Sequence, residues 1–183
     1  MKELSLHILD IAQNSISAGA SLVTIEIKES VINDTLEISV TDNGCGMSEE
    51  FAKNVTDPFT TTRTTRKVGM GIPLFKLATT QAGGDLLLET KQGVGTKIKA
   101  VMQHSHIDRS PIGDMAETMV NLVSMNDNID FVYLHSTDNG ESMLDTRQIR
   151  EIMQDVPLSN MSVLAWIRDY VNENLKEINA IIF

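Results

Sequence analysis

Four short stretches of this 183-residue chain carry residue types and spacings that could do chemistry. In HILDIAQNSIS, Asp10 and Asn14 stand four apart, so on a helix a carboxylate and a carboxamide project from one face. An amide oxygen is a hard donor that suits Mg²⁺, and a carboxylate one turn away can take a proton from an attacking water. Taken alone, the pair is better explained as a surface aspartate and a capping-type asparagine. Asp42-Asn43-Gly44-Cys45-Gly46 follows a strand-like run. A carboxylate at a strand end can accept a hydrogen bond from an exocyclic amine, and the glycines let the backbone turn and approach a ligand closely. Further on, Arg63, Arg66 and Lys67 precede Gly69-Met70-Gly71 at a helix start. A helix N-terminus favours phosphate, and the basic side chains supply charge against a polyphosphate. Gly93-Val94-Gly95-Thr96 is a tight turn, and by itself it reads as a plain hairpin.

The elements that must position these residues follow from periodicity and punctuation. Leu4, Ile8, Ile11, Ala12 and Ile16 keep helical spacing and predict a helix over 3–18, ended by Gly19. LVTIEIKE (22–29) and LEISV (36–40) predict a hairpin turned at Asn33-Asp34. A short helix near 48–54 opens at Ser48 with two glutamates behind it. Residues 55–69, with DPFTTTRTTRKVG, predict a long polar loop, and such a loop inside a domain is usually functional. GMGIPLFKLATTQAGG predicts a helix with Pro73 in its first turn, closed by Gly83-Gly84. Strands follow at 85–90 and 96–102. Beyond His104, SHIDRSPIGD reads as a linker; helices are expected at 114–125, 146–154 and 160–178 and a hairpin at 129–135 and 141–145. Residues 105–183 therefore form either a small α+β appendage or an extension of the first sheet. A second Asp-Asn-Gly, at 138–140, lies between two strand-like runs without a following Cys-Gly, and reads as a structural turn.

Composition narrows the class. Hydrophobic residues make up 42% and aromatics only 4%, so aliphatics and ten methionines must fill most of the core. No apolar run reaches the roughly 20 residues of a membrane span, and the N-terminus lacks a signal-peptide layout. One cysteine, Cys45, excludes an intrachain disulfide and a zinc or iron–sulfur ligand set. A cytoplasmic location is the expectation. Of the net charge of −10, residues 1–104 carry −2 (ten Lys/Arg, twelve Asp/Glu) and residues 105–183 carry −8 (five and thirteen). Such an acidic region repels phosphate backbones and anionic lipid, so neither nucleic acid nor membrane is expected as a partner.

In this order the motifs resemble the ATPase superfamily shared by histidine kinases, gyrase B, heat-shock chaperones and mismatch-repair clamp proteins. LDIAQNSISAGA resembles that family's N box, DNGCGM its first glycine box, DPFTTT the phenylalanine box of the kinases, GMGIPL the second glycine box and GVGTKIKA the last. The resemblance covers residues 1–104 and implies an α+β fold. This is a two-layer sandwich of the Bergerat type, a mostly antiparallel sheet with helices on one face. It implies ATP and Mg²⁺ as ligands, Asn14 on the metal and Asp42 on the adenine. The implied binding set also includes Gly44, Gly46, Met47, Arg66, Lys67, Gly69, Met70, Gly71 and Thr96. Asp10 would be the general base; relatives that hydrolyse ATP usually carry the longer Glu there, so fast turnover is not expected. Pro73 replaces a glycine common in the kinases and stiffens the start of its helix.

The leading expectation is a Mg-ATP-binding regulatory protein that phosphorylates or conformationally controls a protein partner contacted through 105–183. Its phosphoacceptor would come from elsewhere, because no helix pair bearing an acceptor histidine precedes residue 1. A slow ATPase that dimerises as a clamp, giving a homodimer, and a non-catalytic ATP sensor are the alternatives. His7 is expected to be a packing or surface residue, His104 and His106 to be incidental, and Cys45 to be partly buried. The methionines at 115, 119 and 125 fit a core stripe, while Trp166 and Ile167 fit either core or a partner surface.

Overall fold

The structure, a computed structural model, describes residues 2–55 and 70–181. Element order is α1 (Leu4–Ser17), β1 (Leu22–Ser30), β2 (Thr35–Asp42), α2 (Glu49–Asn54), α3 (Gly71–Gln81), β3 (Asp85–Lys91) and β4 (Gly95–Gln103). There follow α4 (Met115–Met125), β5 (Asp130–Thr137), β6 (Gly140–Asp145), α5 (Thr146–Met153) and α6 (Met161–Glu177). The six strands form one sheet in the order β3-β4-β2-β1-β5-β6. All neighbours are antiparallel except β1 and β5, which run parallel from Leu22↔Asp130 to Lys28↔Ser136. The expected α+β, mostly antiparallel sheet is present. Between the two arrangements left open for 105–183, the strands beyond residue 104 continue the first sheet.

Strand alternation sorts the faces. Val23, Ile25 and Ile27 of β1 lie in register with Val40 and Ile38 of β2 and with Phe131 and Tyr133 of β5, and all are essentially buried. Ile98, Ala100 and Met102 continue this face on β4, and α1, α3, α4 and α6 supply most of the rest of the core, with Ile149 of α5. The opposite face is polar. Glu26 pairs with Lys28 (3.1 Å) and Glu37 with Lys99 (2.7 Å), half-exposed pairs worth at most about 1 kcal/mol each. Helices α1, α3, α4 and α6 therefore pack on the apolar side of the sheet. On α1 the buried Leu4, Ile8, Ile11 and Ala12 face the sheet, so Asp10 and Asn14 fall on the flank toward α3.

The start of α1 has no side-chain cap; its first amides, Leu4 N and Ser5 N, donate to Pro111 O (2.9 Å) and Ile112 O (2.7 Å). The expected linker thus completes the helix, satisfying donors that a helix N-terminus otherwise leaves open. At the far end of the sheet a buried polar cluster joins the two halves of the chain. Glu29 on β1 accepts from His135 Nε2 (2.5 Å), His104 Nε2 (3.3 Å) and the Ile181 amide (3.3 Å), and Tyr133 Oη lies 2.6 Å from His135 Nδ1. Burial and the Glu29 charge push the Tyr133 phenol well above its ordinary value. His104, expected to be incidental, is buried here because β4 ends under the C-terminal residues. The second Asp-Asn-Gly is a hairpin turn between β5 and β6, as its flanks predict. Its Asp138 also accepts from Ser30 Oγ and the Val31 and Ile32 amides, which clasp the β1–β2 turn.

Two packing expectations change. Cys45 is exposed: its amide donates to Ala18 O (2.9 Å) and its carbonyl accepts from Gly93 N (2.7 Å), which buries the backbone and turns the thiol outward. Met115 and Met119 belong to the core, but Met125, the last residue of α4, is 74% exposed. Among the described residues no helix is long and apolar enough to cross a membrane.

Candidate functional site

The end of the sheet opposite the Glu29 cluster gathers the predicted residues. β2 ends at Asp42, in register with Thr96 on β4, which is itself in register with Thr90 on β3. The Asp42 carboxylate is held from three directions. Oδ1 accepts from Gly44 N (2.9 Å) and Thr96 N (3.3 Å), and Oδ2 accepts from Ser15 Oγ (2.6 Å) on α1. A carboxylate has about four acceptor positions, so three protein donors fix its orientation and leave about one for a ligand donor. Neither Ser15 nor Thr90 was singled out in the sequence. The signal for Ser15 was its place directly after Asn14 on the same helix; its hydroxyl is almost fully buried and also reaches Ile11 O (3.3 Å).

The glycines are close approaches rather than generic turns. A Cβ on Gly46, whose φ is +63°, would stand 2.1 Å from Lys91 O. One on Gly95, at φ +143°, would stand 2.0 Å from Asp42 O. Side chains are therefore excluded at both by backbone atoms and by conformation. Gly44 would meet Ala18 O at 2.9 Å. Together these contacts let the Gly44–Met47 turn lie flat between α1 and the β3–β4 hairpin, where Met47 N donates to Thr90 Oγ1 (2.9 Å) and Thr90 Oγ1 meets Thr96 Oγ1 (3.0 Å). Asn43 serves the turn: its side chain bonds the Ser21 and Leu22 amides and Ser21 Oγ.

Gly71 closes the arrangement from the other side. A Cβ there would lie 2.3 Å from Asp10 Oδ2 and 3.4 Å from Asn14 Nδ2, so the first residue of α3 sits directly on the predicted pair of α1. Met70, just before it, is 49% exposed. Pro73 occupies the third position of α3, where a proline costs no helical hydrogen bond. His7, three residues before Asp10, stacks on Phe75 of α3 with ring centroids 5.3 Å apart. Its two ring nitrogens are buried without a hydrogen-bond partner among the described residues, and burial lowers its pKa to about 4. A stacked His7–Phe75 pair thus fills the α1–α3 seam behind the polar pair. Asp10, Asn14, Asp42, Gly44, Gly46, Met47, Met70, Gly71 and Thr96 all fall at this end of the molecule. Arg63, Arg66, Lys67 and Gly69 lie outside the described residues.

Fold and site together define a two-layer sandwich in which an oriented carboxylate, a carboxylate–carboxamide pair and four glycine approaches meet at one sheet end. This chain belongs to the histidine kinase-, DNA gyrase B- and HSP90-like ATPase family, whose sequence pattern matches residues 2–106. Among curated relatives, the non-motile and phage-resistance protein of Caulobacter vibrioides is 28% identical over 111 residues, covering 56% of this chain. A protein of Shewanella frigidimarina is 26% identical over 102 residues, covering 55% of it. The matches span only 13–15% of the length of those relatives. Among solved structures, the N-terminal domain of a DNA repair protein is similar over 79% of this chain and 53% of its own, with a TM-score of 0.51 at 15% identity. The MutL ATPase domain of Aquifex aeolicus complexed with ADP aligns over 92% of this chain and 88% of its own, with a TM-score of 0.48 at 14% identity. At such identities the likeness is one of fold. In the DNA repair domain it covers more of the chain than the family pattern does, and so reaches beyond residue 106.

Proposed function

We propose that the chain binds Mg-ATP at the Asp42 end of its sheet and uses that binding to control a protein partner contacted through residues 105–183. The observation that carries this reading is the Asp42 carboxylate, oriented by Ser15, Gly44 and Thr96 with one acceptor position left for an adenine amine. The residues present fit a magnesium nucleotide. The Asn14 amide oxygen is a hard donor of the type Mg²⁺ takes while keeping several waters, and Asp10 lies beside it on the same helix face. Glycine at 44, 46, 71 and 95 lets the protein segments around this end of the sheet approach one another closely. The metal would supply charge neutralisation to the phosphates; Asn14 would hold it, and Asp42 would select the base. Arg66, Lys67 and Gly69 complete the set by the family resemblance.

Asp10 is the candidate base, and its short side chain favours slow turnover or transfer to a partner over rapid hydrolysis. Three outcomes separate the readings. Calorimetric titration of the protein with Mg-ATP, with and without EDTA, tests binding and its metal dependence. Radiolabelled phosphate appearing on an added partner supports the regulatory kinase, and an ATP-dependent doubling of mass by light scattering supports the dimerising clamp. Tight binding with neither result supports the sensor. Absence of any Mg-ATP binding removes all three.

A further inference from the structure

The sequence left Trp166 and Ile167 as either core or partner surface, and the structure separates them. On α6 the buried face is Val163, Ile167, Val171 and Leu175, a fourfold repeat that packs on α4 and β6. Trp166, Asp169, Tyr170 and Glu173 share the outward face at i, i+3, i+4 and i+7. The indole, the one tryptophan of the chain, is 45% exposed and stacks on Tyr170 with centroids 4.9 Å apart and planes 24° from parallel. Tyr170 Oη donates to Met143 O (3.0 Å) on edge strand β6, so the ring pair is fixed before any partner arrives. Asp169 and Glu173 flank it and form no ion pair among the described residues, whereas Arg168 on the next face is engaged by Glu117 (2.8 Å).

A rigid, half-exposed aromatic pair is costly to leave in water and is the commonest anchor of a protein interface. Its surroundings choose the occupant. Guanidinium and ammonium groups are drawn to the faces of Trp and Tyr, and two unpaired carboxylates beside the rings add to that attraction. Residues 105–183 carry a net charge of −8, which steers a basic segment toward this side and repels an acidic one. We infer that the outward face of α6, with Trp166 stacked on Tyr170 between Asp169 and Glu173, docks a Lys/Arg-bearing segment of a partner protein. This rests on the reading of 105–183 as the partner-contacting part, and not on nucleotide binding.

The probe is a fluorescein-labelled synthetic helical peptide with arginines at helical spacing, compared with a glutamate counterpart. Anisotropy reports binding, and Trp166 emission, free of any other indole, reports whether the contact falls at this face. The expectation is binding of the arginine peptide only, with a change in Trp166 emission, weakened about tenfold by Trp166→Ala and by Asp169→Asn/Glu173→Gln. Mg-ATP titration of Trp166→Ala should match wild type, so failure of docking and failure of the nucleotide site are told apart. Equal weakening by Glu49→Gln/Glu50→Gln on α2 would mean attraction by overall charge and would overturn the inference. So would binding that Trp166→Ala leaves unchanged, a glutamate peptide that binds as well, or a dimer of the free protein that Trp166→Ala dissolves.

Discussion

Replacing Asp42 by asparagine changes one oxygen into an NH₂ group in a position where Ser15, Gly44 and Thr96 are the hydrogen-bond partners among the described residues. The amide oxygen can keep the Gly44 and Thr96 amides, and the new NH₂ can donate to Ser15 Oγ, 2.6 Å away in the wild type. The turn should therefore survive, with a thermal midpoint within a few degrees of wild type. The ligand side changes more. The second hydrogen of the NH₂ points where an adenine amine would donate, so donor meets donor. A hydrogen bond to a charged acceptor is worth about 1.5–3 kcal/mol, so Mg-ATP affinity should fall about ten- to a hundredfold. Inosine triphosphate carries a carbonyl in place of that amine, and the variant should lose far less affinity for it, or gain. Calorimetry with both nucleotides on both proteins reads the two effects. Equal loss for ATP and inosine triphosphate would mean the substitution damaged the turn rather than base selection. No loss for either would place the base elsewhere and refute the reasoning.

Acid titration should expose His7. The folded protein keeps the ring neutral down to about 4, while the unfolded chain binds a proton near the ordinary value of 6.5, so stability falls as pH drops between those values. After discounting for solvent screening the loss is about 1–2 kcal/mol, and His7→Phe should remove it; urea melts at pH 7 and pH 4.5 that shift equally in both proteins would contradict this. Gly46→Ala should destabilise by more than about 2 kcal/mol or prevent folding, because both Lys91 O and the positive φ oppose a side chain. A near-wild-type midpoint would show that the turn can move. Glu29→Gln keeps the shape but leaves one donor among His135, His104 and Ile181 without an acceptor, for about 1–3 kcal/mol. Faster proteolysis of the C-terminal residues would register it, and unchanged melting and digestion would count against it.

How much was legible depended on whether a residue's partner was near in sequence. Helix α1 and the strand pairs β1–β2 and β3–β4 follow from periodicity and turns, because each is specified by neighbours within a few residues. Asp42, Gly46 and Gly71 were named through motif order, since Asp42-Asn43-Gly44 shares its three letters with the structural copy at Asp138 and differs locally only in the Cys-Gly that follows. Ser15 went unnoticed because its partner lies 27 residues away, and His104 because Glu29 lies 75 away. Cys45 was misjudged for a related reason: the turn buries its backbone, and hydrophobicity describes only the side chain.

The parallel strand β5 protects what the family pattern by itself would leave bare. Seven successive residues of β1, Leu22–Lys28, are matched against Asp130–Ser136, with Val23, Ile25 and Ile27 buried beneath them. A fragment ended near residue 106 would present that row of amides and carbonyls as an uncovered, apolar edge of the kind on which chains stack. Shortened versions should consequently be lost to self-association before their chemistry can be tested. The acidic half thus acts, whatever else it does, as a built-in chaperone for strand β1.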